Sequence, residues 1–175
     1  MGKIIFILGG AGSGKSKFAL QMAKKGKNVA FVATCDSKDR EMKRKIDAHR
    51  EERPSHWHTL EAGSTPFELA WPNGKTDCLV IDSLTLWVSE LMRREMSPEE
   101  ILRKCDICLE EARKRFKSTV VVSDEVGLGI VPENRLAREF REVLGQVNQQ
   151  TAQLAGLVFL VTAGLPIQIK GKEKI

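Results

Sequence analysis

Gly9-Gly10-Ala11-Gly12-Ser13-Gly14-Lys15-Ser16 is the stretch on which the reading of this chain turns. It fits the pattern G-x-x-x-x-G-K-[ST] in full, with the apolar run Ile4 to Leu8 before it and the amphipathic stretch Lys15 to Lys25 after it. A strand that turns through glycines into a helix points consecutive backbone N–H groups at one anion, and the helix N-terminus adds partial positive charge. In such a loop Lys15 reaches the β- and γ-phosphates of a nucleotide, and the Ser16 hydroxyl is a ligand for Mg²⁺. A bare glycine-rich turn is the alternative, and it accounts for neither flank.

Working outward, short apolar runs alternate with longer amphipathic segments, the pattern of a parallel sheet covered by helices. Strands are expected at Lys3 to Leu8, Asn28 to Thr34, Asp77 to Asp82, Thr119 to Ser123 and Leu157 to Thr162. Each is almost continuously apolar, as a strand buried on both faces must be. Helices are expected over Lys15 to Lys25, Leu84 to Arg94, Ser97 to about Phe116, and from near Pro132 to Gly156. Ser97, Pro98 and Glu100 spell a capping box with proline at the first helical position. The expected fold is α/β, of the P-loop NTPase, RecA-like kind: a doubly wound, mostly parallel sheet with helices on both faces. Residues 1–175 are read as one domain.

A P-loop calls for a metal-side carboxylate at the end of a neighbouring strand. Leu79-Val80-Ile81-Asp82 offers one, which makes Asp82 the Walker B candidate, holding Mg²⁺ together with Ser16. Asp124-Glu125 after Val120-Val121-Val122 is a second candidate, and for either acid the plain alternative is the N-cap of the next helix.

Composition narrows the classes further. The chain has 175 residues, 42% hydrophobic and 29% charged, without low-complexity stretches, which excludes collagen, coiled coil and wholesale disorder. Apolar runs such as Ile4 to Leu8 are five residues long, where a membrane span needs about 20. The same run is too short for a signal peptide. Cys35, Cys78, Cys105 and Cys108 lack the density of a secreted disulfide scaffold, so a reducing cytoplasm is expected. A net charge of +5 suits anionic partners without choosing among them.

Between Lys38 and Arg53, seven Lys or Arg alternate with five Asp or Glu, a solvated helix face and not a nucleic-acid stripe. On that helix Met42, Ile46 and His49 share one side. Spacing alone reads His49 as a packed or capped histidine. His56 and His58 flank Trp57 and share a face of an extended strand, which is two potential metal ligands without a third. Cys105 and Cys108 have no second pair, and Ile101, Cys105, Leu109, Ala112 and Phe116 make an apolar stripe, so core packing explains them.

Taken together, these segments resemble one family over nearly the whole chain. They are Gly9 through Ser16; Phe31-Val32-Ala33-Thr34; Glu41-Met42 through Ile46 with His49-Arg50; Arg53-Pro54-Ser55-His56-Trp57 with Thr59 and Glu61; and Leu84 through Val88. They continue with the block Glu125 through Arg138 and with Gly145 through Gln150. The family is the bifunctional adenosylcobinamide kinase / adenosylcobinamide-phosphate guanylyltransferase family of cobalamin biosynthesis. The Walker loop is generic, whereas Gly-x-Gly-Ile-Val-Pro-Glu-Asn-Arg-x-Ala-Arg and His-x-x-x-Arg-Pro-x-x-Trp belong to this family. Two positions depart from its pattern: Gly12 stands where arginine is usual, and Asp124 stands where asparagine is usual.

The resemblance implies phosphorylation of the aminopropanol hydroxyl of adenosylcobinamide by ATP or GTP. It then implies transfer of GMP from GTP to that phosphate through a guanylyl-histidine. The catalytic residues it implies are Lys15 and His49. Nucleotide contacts fall, by the same pattern, on Gly9, Gly10, Ala11, Gly12, Ser13, Gly14, Lys15 and Ser16, on Ala33, Thr34 and Cys35, on Arg50, Glu51, Glu52 and Arg53, and on Glu61 and Asp82. Glu61 is the candidate reader of the guanine N1 and N2 donors. The loop Val126 to Pro132 is the candidate seat of the corrinoid, and a homotrimer is the implied assembly. Two other functions stay open on the residues: a P-loop small-molecule kinase with a structural His49, and a nucleotide-dependent nucleic-acid module. The latter needs a basic stripe with exposed aromatics, and only three Trp and seven Phe are present.

Overall fold

The computed structural model describes residues 1–34, 53–61 and 76–172. In chain order these form β1 (Lys3–Gly9), α1 (Lys15–Ala23), β2 (Val29–Ala33), β3 (His58–Glu61), β4 (Cys78–Asp82), α2 (Leu84–Arg93), α3 (Pro98–Arg115), β5 (Ser118–Asp124), α4 (Arg135–Leu154), β6 (Leu157–Thr162) and β7 (Leu165–Lys170). The expected charged helix with Met42, Ile46 and His49 lies, at those three positions, outside the described residues.

The strands form one sheet in the order β3-β2-β4-β5-β1-β6-β7. All neighbours run parallel except β6 and β7. Alternate residues of the central strands feed two separate cores. Ile4, Phe6, Leu8, Val32, Ile81, Val121 and Val158 pack on one face with α2, α3 and α4. Ile5, Ile7, Phe31, Val80, Val122 and Phe159 pack on the other with α1. Burial of both faces is the physical reason these strands read as unbroken apolar runs.

Each helix starts where its sequence stops it from starting earlier. Ser97 and Glu100 complete the capping box of α3, Glu100 N–H donating to Ser97 Oγ at 3.3 Å and Ser97 N–H to Glu100 Oε2 at 2.9 Å. Helix α4 begins at Arg135, later than Pro132, because Asn134 accepts from Ala137 N–H at 3.1 Å and thereby caps it. Within α3, Cys105 and Cys108 are buried in the core, and burial pushes the Cys105 thiol up to about 12, leaving it unreactive.

Two strands are additions to the sequence reading. β3 is four residues long and pairs with β2 from Ala30↔His58 to Ala33↔Glu61; Trp57 before it is buried while His56 and His58 are exposed. β7 returns antiparallel through a two-residue turn, Ala163 (φ 50) and Gly164 (φ 78), closing the pair Thr162↔Leu165. Positive φ at both positions matches the twist of a tight hairpin.

On α2, Arg93 Nε and Nη2 each donate to Glu90 at 2.8 Å and Arg94 Nε at 2.9 Å, so hydrogen bonds from Arg93 first, then Arg94, hold the Glu90 carboxyl down at about 2 from its ordinary 4.5. A carboxyl whose folded value is depressed stabilises fully above its unfolded value and loses that contribution as pH falls through the folded one. Glu90→Gln is therefore expected to lower stability near neutrality, modestly because the partner arginines are solvent-exposed, and to flatten its fall between about pH 4.5 and 2 so that variant and wild type converge in acid, followed by circular dichroism.

Candidate active site

All the parallel strands end at one edge, and the chemistry-bearing residues collect there: Gly9 ends β1, Ala33 ends β2, Glu61 ends β3, Asp82 ends β4 and Asp124 ends β5. Ligands of open α/β sheets bind at this carboxyl edge. The loop from Gly10 to Gly14 carries β1 into α1. Gly14 is the N-cap of α1 with φ 90 and no side-chain cap, so the first N–H groups of the helix are left for an anion. Gly9 is demanded by space, since a β-carbon there would stand 2.6 Å from Val161 O.

The hairpin turn braces this loop. Gly164 N–H donates to Ser13 O at 2.9 Å, and a β-carbon on Gly14 would come within 3.2 Å of Gly164 Cα. Gly164 was not flagged by sequence reasoning; the dipeptide Ala163-Gly164 after an apolar strand is the signal that could have found it.

Lys15 Nζ lies 2.6 Å from Asp124 Oδ1 and 3.2 Å from Gly10 O. The ammonium and carboxylate are 13% and 24% exposed, an ion pair well withdrawn from solvent. Asp124 is in turn fixed on three sides. It faces Gly9 in the β1–β5 register; its N–H donates to Thr85 Oγ1 at 2.7 Å; its carbonyl accepts from Asn148 Nδ2 at 3.1 Å. Thr85 and Asn148 are thus positioning residues that spacing in the sequence did not single out, because they come from α2 and α4.

The strand next to β1 is β5, not β4. The expectation that Asp82 ends the neighbouring strand is corrected on this point: β5 is inserted between, which sets Asp82 two strand spacings, about 10 Å, from β1. Asp82 is tied instead to β2, its carbonyl accepting from Thr34 N–H at 3.1 Å. Thr34 Oγ1 and Ser83 lock these two strand ends together, the hydroxyl donating to Ser83 O at 2.7 Å and accepting from Ser83 N–H at 2.8 Å. Arg53 lies with its guanidinium 3.7 Å from the centre of the Phe31 ring. Cys35, His49, Arg50, Glu51 and Glu52 lie outside the described residues, and of Glu61 the backbone alone is described.

A strand, a glycine loop whose lysine is held at the carboxyl edge, and an uncapped helix N-terminus define a P-loop nucleotide-binding protein. A solved structure of an ATPase from the type III secretion system of pathogenic bacteria shares the fold, with a TM-score of 0.58 at 13% identity, covering 96% of this chain; this chain spans 57% of that one. The sequence model described as cobinamide kinase / cobinamide phosphate guanyltransferase matches residues 5–169. Among curated relatives, the bifunctional adenosylcobalamin biosynthesis protein CobU of Escherichia coli is 34% identical over 180 residues, covering 95% of this chain and 99% of that protein. The CobP protein of Pseudomonas aeruginosa is 36% identical over 170 residues, covering 95% and 96%. This chain belongs to the cobinamide kinase / cobinamide phosphate guanyltransferase family.

Proposed function

We propose that this enzyme runs both of the family's reactions, kinase and guanylyltransferase, at its one P-loop, and that His49 carries the guanylyl group between GTP and cobinamide phosphate. The observation that carries the reading is the match of residues 5–169 to the family together with a formed P-loop around Lys15. Residues 1–175 act as a single catalytic domain, an assignment supported by the one sheet that gathers all described strands.

In the kinase step the loop amides and Lys15 bind the β- and γ-phosphates of ATP or GTP; the cobinamide hydroxyl oxygen bonds to the γ-phosphorus and gives up its proton to water, while the bond to the β-phosphate oxygen breaks and the nucleoside diphosphate leaves. In the transferase step a neutral His49 imidazole attacks the α-phosphorus of GTP, a P–N bond forms and the bond to the β-phosphate oxygen breaks, releasing pyrophosphate. The phosphate of cobinamide phosphate then attacks the same phosphorus, breaking the P–N bond and making cobinamide-GDP. An imidazole with an ordinary pKa near 6.5 is mostly unprotonated at pH 7, and a covalent intermediate divides one hard displacement into two. Ala33, Thr34, Cys35, the segment 50–53 and Glu61 complete the nucleotide site in this reading.

The donors at the edge are the Ser16 hydroxyl and the Asp82 and Asp124 carboxylates, all hard oxygens, and no group of three or more His, Cys, Asp or Glu side chains gathers among the described residues. That set fits Mg²⁺, which takes few protein ligands and fills the rest with phosphate oxygens and water. Bound by Ser16 and Asp82, Mg²⁺ supplies neutralisation of phosphate charge. No helix among the described residues is long and apolar enough to cross a membrane, in keeping with a cytoplasmic enzyme; sedimentation velocity tests the homotrimer that the family resemblance implies.

The test is to incubate the enzyme with Mg²⁺ and GTP labelled at the α-phosphate, denature it, and count bound label. Acid-labile, alkali-stable label is expected from GTP, not from ATP, and is expected to be absent in His49→Ala. Wild-type protein that binds GTP yet takes no label overturns the guanylyl-histidine and leaves a P-loop kinase.

A further inference from the structure

At the middle of α4 stands Gly145, for which the packing of the chain gives no reason. A β-carbon built there meets nothing within 4 Å, although glycine inside a helix is disfavoured against almost every other residue. Over it opens a groove of about 450 Å³, walled on one side by Gly127 and Val131 and on the other by Arg141, Gln146 and Gln149. That volume lies within the range of small-molecule sites.

The outer wall of the groove is fixed in shape. Arg138 Nη1 donates to the carbonyls of Pro132 at 3.0 Å and Glu133 at 2.5 Å; Arg141 donates to Ile130 O at 3.1 Å through Nη1 and to Gly127 O through Nη2. Two guanidiniums thereby occupy the loop's carbonyls and leave its apolar side chains turned outward. Leu128 is 83% exposed, Ile130 95% and Val131 65%. Large apolar side chains shown to water by a clamped loop mark a binding face. The loop also begins at the phosphate site, since Glu125 N–H donates to Gly9 O at 3.1 Å and the preceding Asp124 holds Lys15.

The geometry points to this groove and its rim as the seat of the corrinoid substrate, an inference that rests on the functional reading above. Cobinamide is a broad macrocycle with apolar faces, fringed by carboxamides, and its reacting hydroxyl hangs on a short arm. Its edge enters over Gly145, where the missing side chain lets it approach the helix backbone; its face lies on Leu128, Ile130 and Val131. The side-chain amides of Gln146 and Gln149 exchange hydrogen bonds with the substrate's carboxamides, as planar amides do in pairs. Continuity with Lys15 favours this occupant, because the arm must deliver its hydroxyl to a γ-phosphate bound there. A second copy of the chain gains nothing from that adjacency.

Two variants test the seat: Gly145→Leu fills the groove with a better helix former, and Ile130→Ser strips the rim at an exposed position. Each is measured for KM toward adenosylcobinamide in the ATP-dependent reaction, for labelling by GTP, which requires no corrinoid, and for mass by sedimentation velocity. The expected result is a KM for the corrinoid raised at least about 10-fold in Gly145→Leu and about 3-fold or more in Ile130→Ser, with wild-type labelling and wild-type mass. An unchanged KM in both variants overturns the proposal. So does a rise that comes with a changed mass, which makes the face a contact between copies. If wild-type enzyme takes no label, the guanylyl-histidine reading falls by itself, and equilibrium dialysis of cobinamide against wild type and Gly145→Leu still decides the seat: equal affinity refutes it and weakened affinity supports it.

Discussion

Replacing Lys15 by alanine is expected to lower kcat/KM for both transfers by on the order of 10³-fold, equivalent to about 4 kcal/mol of lost transition-state stabilisation. In the structure the ammonium sits 2.6 Å from Asp124 and 3.2 Å from Gly10 O, at the mouth of the loop whose amides await the phosphates. On the proposed mechanism, charge that develops on the phosphoryl group during transfer is met there by a cation already in place, so loss of the cation falls mainly on kcat. The same substitution strands the Asp124 carboxylate beside the incoming phosphates, which adds repulsion to the missing attraction. Steady-state kinetics of each half-reaction checks this, and a loss under about 10-fold would show that Lys15 is not the phosphate-side cation. Asp124→Asn separates the two effects. It keeps the size of the side chain, removes its charge and releases Lys15, so nucleotide affinity without Mg²⁺ is expected to rise by about 2- to 10-fold, read by titration calorimetry.

The largest effect on stability is expected at Phe159. Its side chain is 0% exposed, and its ring meets Phe18 edge-on with centroids 5.2 Å apart. Phe159→Ala removes a buried aromatic from the core between the sheet and α1, and such truncations cost about 3 to 5 kcal/mol. Because Phe18 belongs to the helix that the P-loop opens, the cavity also loosens the base of the phosphate site. Urea unfolding is expected to show a lower midpoint with an unchanged slope, and KM for nucleotide is expected to rise before the fold is lost. A destabilisation below about 1 kcal/mol would mean that α1 is anchored elsewhere.

Much of this architecture was readable along the chain. Ile4 to Leu8, Leu79 to Ile81 and Val120 to Val122 are strands because both faces of the sheet are covered, so no polar residue interrupts them. The P-loop was legible because its function needs a fixed local run of glycines, lysine and serine. The short edge strands were not. β7 exposes Leu165, Ile167 and Ile169, and its alternation over six residues is too brief to stand out from a chain end. β3 is shorter still, and its pairing with β2 comes from a partner distant in sequence.

The order of the strands is where sequence reading stopped. Asp82 and Asp124 both follow apolar runs, and the sequence reading put Asp82 first and Asp124-Glu125 second, yet it is Asp124 that ends the strand beside β1 and touches Lys15. The brace from Gly164 to Ser13, the hold of Thr85 and Asn148 on Asp124, and the groove above Gly145 share that character. By itself the sequence determined the α/β class, the phosphate-binding loop and the family, because each is written in contiguous residues whose local conformation follows from glycine, proline and apolar periodicity. Only the tertiary structure decided which carboxylate faces the lysine and where α4 leaves an open groove. Those depend on which strands become neighbours, and neighbours in a parallel sheet are joined by crossovers whose length hides the pairing from any local window.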